Sequence, residues 1–107
     1  MFNKNTYKKR ILFVGIPDMA YIGLDGLLMS GVNIVGVLGP KKNHSMYENF
    51  KEFVFSRHLN YIEYDELDEP QLIKKIQDLD VDIAVVCSFN YKIPKVLMNA
   101  TKDGFIN

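Results

Sequence analysis

The stretch Arg10-Ile-Leu-Phe-Val-Gly-Ile-Pro-Asp-Met-Ala20 decides the fold class of this 107-residue chain. Residues 11–14 are an unbroken apolar run, which is typical of a strand buried on both faces of a parallel sheet. Gly15 and Pro17 end the run, and Asp18 opens a segment whose apolar residues recur at helical spacing. A strand, a tight turn and a helix in this order predict the start of an open α/β domain.

The same alternation continues to the end of the chain. Apolar runs at 32–38, 59–64 and 81–87 and the start of a run at Phe105 predict four more strands. Amphipathic segments between them predict helices, so right-handed crossovers give a three-layer, Rossmann-like parallel sheet of order 3-2-1-4-5, truncated after strand five. Ligands bind at the carboxyl ends of such strands, which places a site near Gly15 and Ser88.

Local signals predict how the helices begin. Ser45 with Glu48, and Asp68 with Gln71, have the spacing of capping boxes, and residues 39–44 read as a loop. The buried face of the helix after Ser45 is predicted from its apolar residues. These are Met46, Phe50, Phe53 and Val54.

Composition excludes several classes of protein. Lys plus Arg and Asp plus Glu number 13 each, so no net charge favours nucleic acid or an anionic membrane. No apolar run reaches the roughly 18 residues of a membrane span, and residues 1–9 read as a polar tail. The single Cys87 excludes an internal disulfide framework and fits a reducing cytoplasm, and His44 and His58 have no zinc-type spacing. The turn at Gly15 lacks the dinucleotide fingerprint, and Pro17 removes an amide donor there.

Three segments carry a resemblance to a known family. The first is the opening stretch, which is similar to R-I-x-F-x-G-T-P-x-F-A. The second is Asp82-Ile-Ala-Val-Val-Cys-Ser-Phe-Asn-Tyr-Lys-Ile-Pro-Lys, which is similar to P-D-x-x-V-V-x-A-Y-G-x-x-L-P-K. The third is Gly104-Phe-Ile-Asn107, which is similar to G-x-I-N. In this order they resemble the N-terminal half of the 10-formyltetrahydrofolate-dependent formyltransferases, nearest to the methionyl-tRNA formyltransferases.

The resemblance implies a reaction and assigns residues to it. A formyl group passes from 10-formyltetrahydrofolate to an acceptor amine, without a metal, and Asn107 is the catalytic residue that donates to the oxyanion. The family's His and Asp, which serve proton transfer, would follow residue 107. The folate wall maps onto Ser88, Phe89, Asn90, Tyr91, Lys92 and Ile93, where the pterin is held largely by backbone groups. The substrate-side loop maps onto Gly15, Ile16, Pro17 and Asp18.

Two alternatives concern the acceptor and the class of protein. The methionyl-tRNA enzymes carry a longer, arginine-rich loop after strand two, whereas residues 39–44 are short and contain two lysines. Sugar-nucleotide N-formyltransferases resemble the same family and lack that loop, so the resemblance implies either methionyl-tRNA or a nucleotide-linked amino sugar as the acceptor. The rival class is a non-catalytic α/β binding or interaction domain on the same scaffold. The 107 residues alone are expected to be inactive, to bind folate weakly and to associate through an open sheet edge.

Overall fold

The computed structural model describes residues 9–87, residue 89 and residues 91–107. In these residues, five strands alternate with four helices, as predicted. The strands are β1 (Arg10–Gly15), β2 (Asn33–Pro40), β3 (Tyr61–Tyr64), β4 (Ile83–Cys87) and β5 (Phe105–Ile106). The helices are α1 (Met19–Met29), α2 (Ser45–Ser56), α3 (Pro70–Asp78) and α4 (Lys95–Met98). Of the predicted polar tail, only Lys9 lies within the described residues.

The strands form one parallel sheet in the predicted order, β3-β2-β1-β4-β5. β1 lies at its centre because its apolar run is buried from Ile11 to Val14. The register pairs Gly15 with Cys87, so β1 and β4 end at the same level. The predicted Rossmann-like architecture is confirmed.

Two hydrophobic cores cover the two faces of the sheet. On one face, α1 and α2 pack through Leu24 and Phe50 against Phe13. On the other, α3 packs through Leu72 and Ile76 against the alternate residues of the strands, and Leu97 of α4 joins that core. β1, β2 and β4 therefore present apolar side chains to both faces, which explains their runs without alternation.

The end of β2 corrects the predicted loop at residues 39–44. Gly39 and Pro40 belong to the strand and pair with Glu63 and Tyr64. A proline is tolerated there because it is the last residue of the strand, and the next amide, that of Lys41, donates to the Tyr64 carbonyl oxygen at 2.9 Å.

Both predicted capping boxes are wrong. His44 caps α2, its Nδ1 accepting from the Met46 amide at 3.0 Å, and Ser45 is the first helical residue. Glu69 precedes α3 without a side-chain cap, so Asp68 is not the N-cap. Because α2 begins at Ser45, Met46 lies in its first turn and is exposed rather than buried.

A charged cluster joins the segments at the amino end of the sheet. Asp82 accepts from the Arg10 amide at 2.8 Å and lies 3.4 Å from the Lys102 ammonium. These contacts, the backbone hydrogen bond first, hold the pKa of Asp82 below its usual value. The Arg10 side chain donates in turn to the Leu79 carbonyl oxygen at 2.8 Å. The amino ends of β1 and β4 are thus held together, opposite the edge where the sequence predicts a site.

The lengths and compositions of the described helices bear on membrane insertion. None of them combines the length and the apolar character that crossing a membrane requires.

Candidate functional site

The carboxyl ends of β1 and β4 form the switch point of the sheet. The chain leaves Gly15 toward α1 on one face and leaves Cys87 toward α4 on the other. Divergence of two adjacent strands opens a crevice outside their ends, where ligands bind in this class of fold. The substrate-side loop and the folate wall predicted from the sequence begin at these two strand ends.

Close packing shapes the loop after β1. A side chain at Gly15 would place its Cβ 2.9 Å from the Cys87 carbonyl oxygen, so only glycine permits this approach of the two strands. Ile16 is half-buried and Pro17 is buried. Asp18 is exposed and has a φ of 104°, which is rare for any residue other than glycine. Backbone strain therefore occurs in the loop that the sequence predicts to face the substrate.

Of the six residues predicted for the folate wall, the structure describes four. Ser88 and Asn90 lie outside the described residues. Phe89 and Ile93 are half-buried and pack against the core that contains α3. Tyr91 and Lys92 are exposed. The wall thus has an apolar base and a polar outer side.

Two further residues lie at or near this edge. Asn107 is exposed and follows Ile106, which pairs with Val85, so the register carries it level with Val86. Cys87 is a half-buried free thiol, whose Sγ would lie 2.7 Å from a Cβ at Gly23 of α1. α1 therefore packs closely against the end of β4 at Gly23.

A crevice that sequence reasoning missed lies beside the switch point. It has a volume of about 540 Å³ and is bounded by the ends of β2 and β3 and by the loop after β4. Lys41 and Lys42 line it from β2, the turn 64–68 lines it from β3, and Tyr91 and Lys92 line it from the loop. The adjacency of β2 and β3 in the predicted order was the signal that could have found it.

Aromatic contacts tie the loop to this crevice. The Phe89 ring lies 6.5 Å from the ring of Tyr64 in an edge-on arrangement and 5.2 Å from the ring of Tyr91. Burial raises the pKa of the Tyr64 phenol well above its ordinary value, and the same holds for Tyr61 on the other face of the sheet. Both phenols are therefore kept in the neutral form, and neither has a hydrogen-bond partner among the described residues.

Neither histidine lies in the candidate site, and the described residues contain no group of metal ligands. His44 serves as the cap of α2, and His58 is an exposed residue just beyond its end. Among residues 9–87, 89 and 91–107, no three side chains of His, Cys, Asp or Glu are grouped as a metal site would require.

Comparison with solved structures gives the class of fold. The chain matches the crystal structure of glycinamide ribonucleotide transformylase 1 from Symbiobacterium toebii with a TM-score of 0.66, over 91% of this chain and 49% of that chain. The two sequences are 13% identical, so the likeness concerns the fold. The architecture is the open parallel sheet found in that transformylase.

Comparison with curated proteins gives more particular relatives. The chain is similar to methionyl-tRNA formyltransferases from Azobacteroides pseudotrichonymphae (30% identity, 94% of this chain, 33% of the relative) and Bacteroides fragilis (28%, 92% and 32%). A third from Chlamydia caviae is 24% identical over 92% of this chain and 32% of the relative. The predicted resemblance is thereby confirmed, although no family model matches the sequence. The chain spans about a third of the length of these relatives.

Proposed function

We propose that this chain forms the folate-binding, N-terminal part of a formyltransferase that moves a formyl group from 10-formyltetrahydrofolate to an acceptor amine. One observation carries the proposal: the three segments that resemble the family meet at one edge of the sheet. Gly15 pairs with Cys87, the loop containing Phe89 follows, and Asn107 comes directly after β5. Relatives named methionyl-tRNA formyltransferase match over 92–94% of this chain.

The proposed chemistry is acyl transfer. The acceptor nitrogen attacks the formyl carbon, the bond from that carbon to N10 of the folate breaks, and the proton lost by the amine passes to N10. The amide of Asn107 donates to the oxyanion of the tetrahedral intermediate, which stabilises the transition state by about 3 kcal/mol. The loop of Phe89, Tyr91, Lys92 and Ile93 holds the donor through its backbone, and residues 15–18 face the acceptor.

The acceptor, the cellular location and the activity of the 107 residues alone are further parts of the proposal. Methionyl-tRNA is the acceptor that the relatives' name implies. The short segment with Lys41 and Lys42 after β2 favours a nucleotide-linked amino sugar instead, because few cations are offered to a phosphate backbone. A cytoplasmic location is expected from the single cysteine. The 107 residues alone are expected to be inactive, since the resemblance assigns the proton-transferring His and Asp to positions after Asn107.

A chimera tests the proposal. The corresponding third of the Azobacteroides methionyl-tRNA formyltransferase is replaced by this chain, and release of tetrahydrofolate is followed with each acceptor. We expect turnover, with Asn107→Ala lowering kcat by about 10²–10³-fold. Lys74→Gln, which alters an exposed side chain that forms an ion pair with Asp78, is the matched control. The 107-residue chain alone, in the same assay, is expected to show none.

Two results would contradict the proposal. The first is a folded chimera that neither turns over nor binds 10-formyltetrahydrofolate in equilibrium dialysis. The second is turnover that Asn107→Ala leaves unchanged, which would remove the assigned catalytic role.

A further inference from the structure

A residue of a distant strand contacts the loop that follows β4. β3 lies three strands from β4 in the sheet, which is roughly 14 Å at about 4.8 Å per strand. Phe89 comes soon after Cys87, yet its ring lies 6.5 Å from the ring of Tyr64, the last residue of β3. The loop therefore extends from β4 toward β3, across the carboxyl ends of the strands between them.

Tyr64 is itself held firmly in place. Its backbone pairs with Pro40 of β2, and its carbonyl oxygen accepts from the Lys41 amide at 2.9 Å. The residue is 6% exposed and belongs to the core that contains α3. A side chain that is fixed at both its backbone and its ring offers Phe89 one position against which to pack.

The ring of Tyr64, and not its hydroxyl group, makes this contact. The Oη is buried and has no hydrogen-bond partner among the described residues. Burial of an unpaired hydroxyl group opposes folding, so the hydroxyl does not explain a tyrosine at this position. The two rings meet at 61°, an edge-on geometry that is favourable for a pair of aromatic groups. The contribution of Tyr64 to the loop is therefore aromatic.

Phe89 passes the restraint on to the rest of the loop. Its ring lies 5.2 Å from that of Tyr91, and Phe89 and Ile93 both pack against the core that contains Tyr64. Tyr91 and Lys92 lie between these two packed residues and are exposed. A surface that binds through its backbone gains affinity when its conformation is set before the ligand arrives.

We propose that Tyr64 is a positioning residue for the formyl donor. It acts through Phe89: the contact between the two rings keeps the loop of Phe89, Tyr91, Lys92 and Ile93 in the conformation that binds the folate. The inference rests on the proposed function, and it names a residue outside the folate wall on which the affinity for the donor depends.

Limited trypsin digestion of the 107-residue chain tests whether Tyr64 restrains the loop. The Lys92–Ile93 bond lies in the loop, and the Arg57–His58 bond at the end of α2 is the reference in the same digest. Tyr64→Leu is expected to raise cleavage after Lys92, relative to the reference, by about three- to tenfold. Global unfolding would raise both rates, so the ratio reports local opening.

Donor kinetics in the chimera test whether the restraint serves binding. Tyr64→Leu is expected to raise the KM for 10-formyltetrahydrofolate by about three- to tenfold while kcat at saturating donor is retained. A purely structural defect would lower the amount of active enzyme, and with it the apparent kcat, but would leave KM unchanged. Tyr64→Phe keeps the ring, so it is expected to have the parent KM and the parent cleavage ratio.

Tyr61 supplies the matched control on the same strand. Its Oη is also buried without a partner among the described residues, but its ring lies on the other face of the sheet, 6.1 Å from that of Phe50. Tyr61→Leu therefore makes the same chemical change away from the loop. It is expected to leave the cleavage ratio and KM unchanged, and circular dichroism checks that each variant is folded.

If Tyr64→Leu does not fold, Phe89→Leu breaks the same ring contact from the side of the loop and is expected to raise KM and the cleavage ratio alike. Three results in an active chimera would overturn the inference alone: the parent KM when the ring contact is broken, a KM raised as much by Tyr64→Phe as by Tyr64→Leu, or a KM raised as much by Tyr61→Leu. A chimera of the unaltered sequence without turnover or donor binding would instead overturn the proposed function, and this inference with it.

Discussion

Asp18 combines a strained backbone conformation with a position in the predicted substrate-side loop. Its φ of 104° disfavours a side chain, and the side chain makes no capping hydrogen bond to α1 in return. Strain of this kind costs of order 1–3 kcal/mol and persists mainly at functional edges. Asp18 is also the last residue of the loop that the resemblance predicts to face the acceptor, so the strained residue coincides with a predicted site.

Asp18→Gly is therefore expected to stabilise the chain. Glycine adopts positive φ without strain, and after its larger unfolded-state entropy is subtracted the gain is about 1 kcal/mol in the free energy of unfolding. Asp18→Ala, which keeps a Cβ at the same backbone angles, is expected to give no gain. Urea denaturation of the three proteins measures both, and equal stabilities for the two variants would contradict the strain argument.

Asp82 leads to a prediction about how the stability of the fold depends on pH. Because the Arg10 amide and Lys102 lower its pKa in the folded state, Asp82 stabilises the fold above its unfolded pKa, and this contribution is lost as the pH falls through the folded pKa. Asp82→Asn keeps an acceptor for the Arg10 amide and removes the charge. Urea unfolding is expected to show the variant less stable at pH 7, with the difference shrinking as the pH falls below the ordinary pKa of an aspartate.

The control for this pH effect is Asp78→Asn, an exposed residue whose i,i+4 partner is Lys74. Exposed pairs of this kind contribute little, so its stability should follow the parent chain at every pH. A gap between Asp82→Asn and the parent that stays constant down to low pH would mean that the charge is not its cause.

At the scale of elements, α1 contains two glycines in different surroundings. A Cβ at Gly23 would lie 2.7 Å from Cys87 Sγ, whereas one at Gly26 would meet no atom within 4 Å. Gly26→Ala is expected to stabilise by about 1 kcal/mol through helix propensity. Gly23→Ala gains the same propensity but overpacks against β4, so it should be less stable than Gly26→Ala by about 2 kcal/mol.

A double-mutant cycle separates these two effects. In a Cys87→Ala background the obstructing sulfur is absent, so Gly23→Ala should become as stabilising as Gly26→Ala. Thermal and urea unfolding both report the difference. If the two alanines have equal effects when Cys87 is present, the contact between α1 and β4 is not tight.

Elements with strong periodicity could be predicted from the sequence, and those fixed by tertiary contacts could not. The apolar runs of β1 and β4 need burial on both faces, so their place in the sheet follows from hydrophobicity alone. The end of β2 was missed because Gly39 and Pro40 are turn residues by propensity, and their strand pairing depends on β3. The cap of α2 was assigned to Ser45 because a hydroxyl is the commoner cap, whereas the extended backbone of His44 places its imidazole there.

The sequence likewise predicts one part of the candidate site and not the other. The strand order that the sequence predicts is sufficient to place Gly15, the loop after Cys87 and Asn107 at one edge of the sheet. The crevice could not be predicted, because it forms only where Tyr91 and Lys92 approach the ends of β2 and β3. The packing of Phe89 against Tyr64 sets this approach. A contact between segments that are distant in sequence produces no periodic pattern, so the sequence does not reveal it.

At the scale of the whole molecule, the two edges of the sheet differ. At the β3 edge, Glu63 is paired with Lys51 at 2.8 Å, and charges of this kind discourage a further strand. At the β5 edge, Ile106 is 48% exposed, and no strand of the described residues lies on the outer side of β5. An apolar, unpaired edge invites pairing with another chain.

The 107-residue chain is therefore expected to associate with increasing concentration through β5. Ile106→Lys places a charge on that edge and should shift sedimentation velocity profiles toward the monomer. Ile22→Lys is the matched control, because it makes the same change at a side chain of α1 that is 69% exposed. A parent chain that remains monomeric at every concentration would contradict the prediction. An effect of Ile22→Lys as large as that of Ile106→Lys would show that the added charge opposes association wherever it is placed, so the β5 edge would not be the site of pairing.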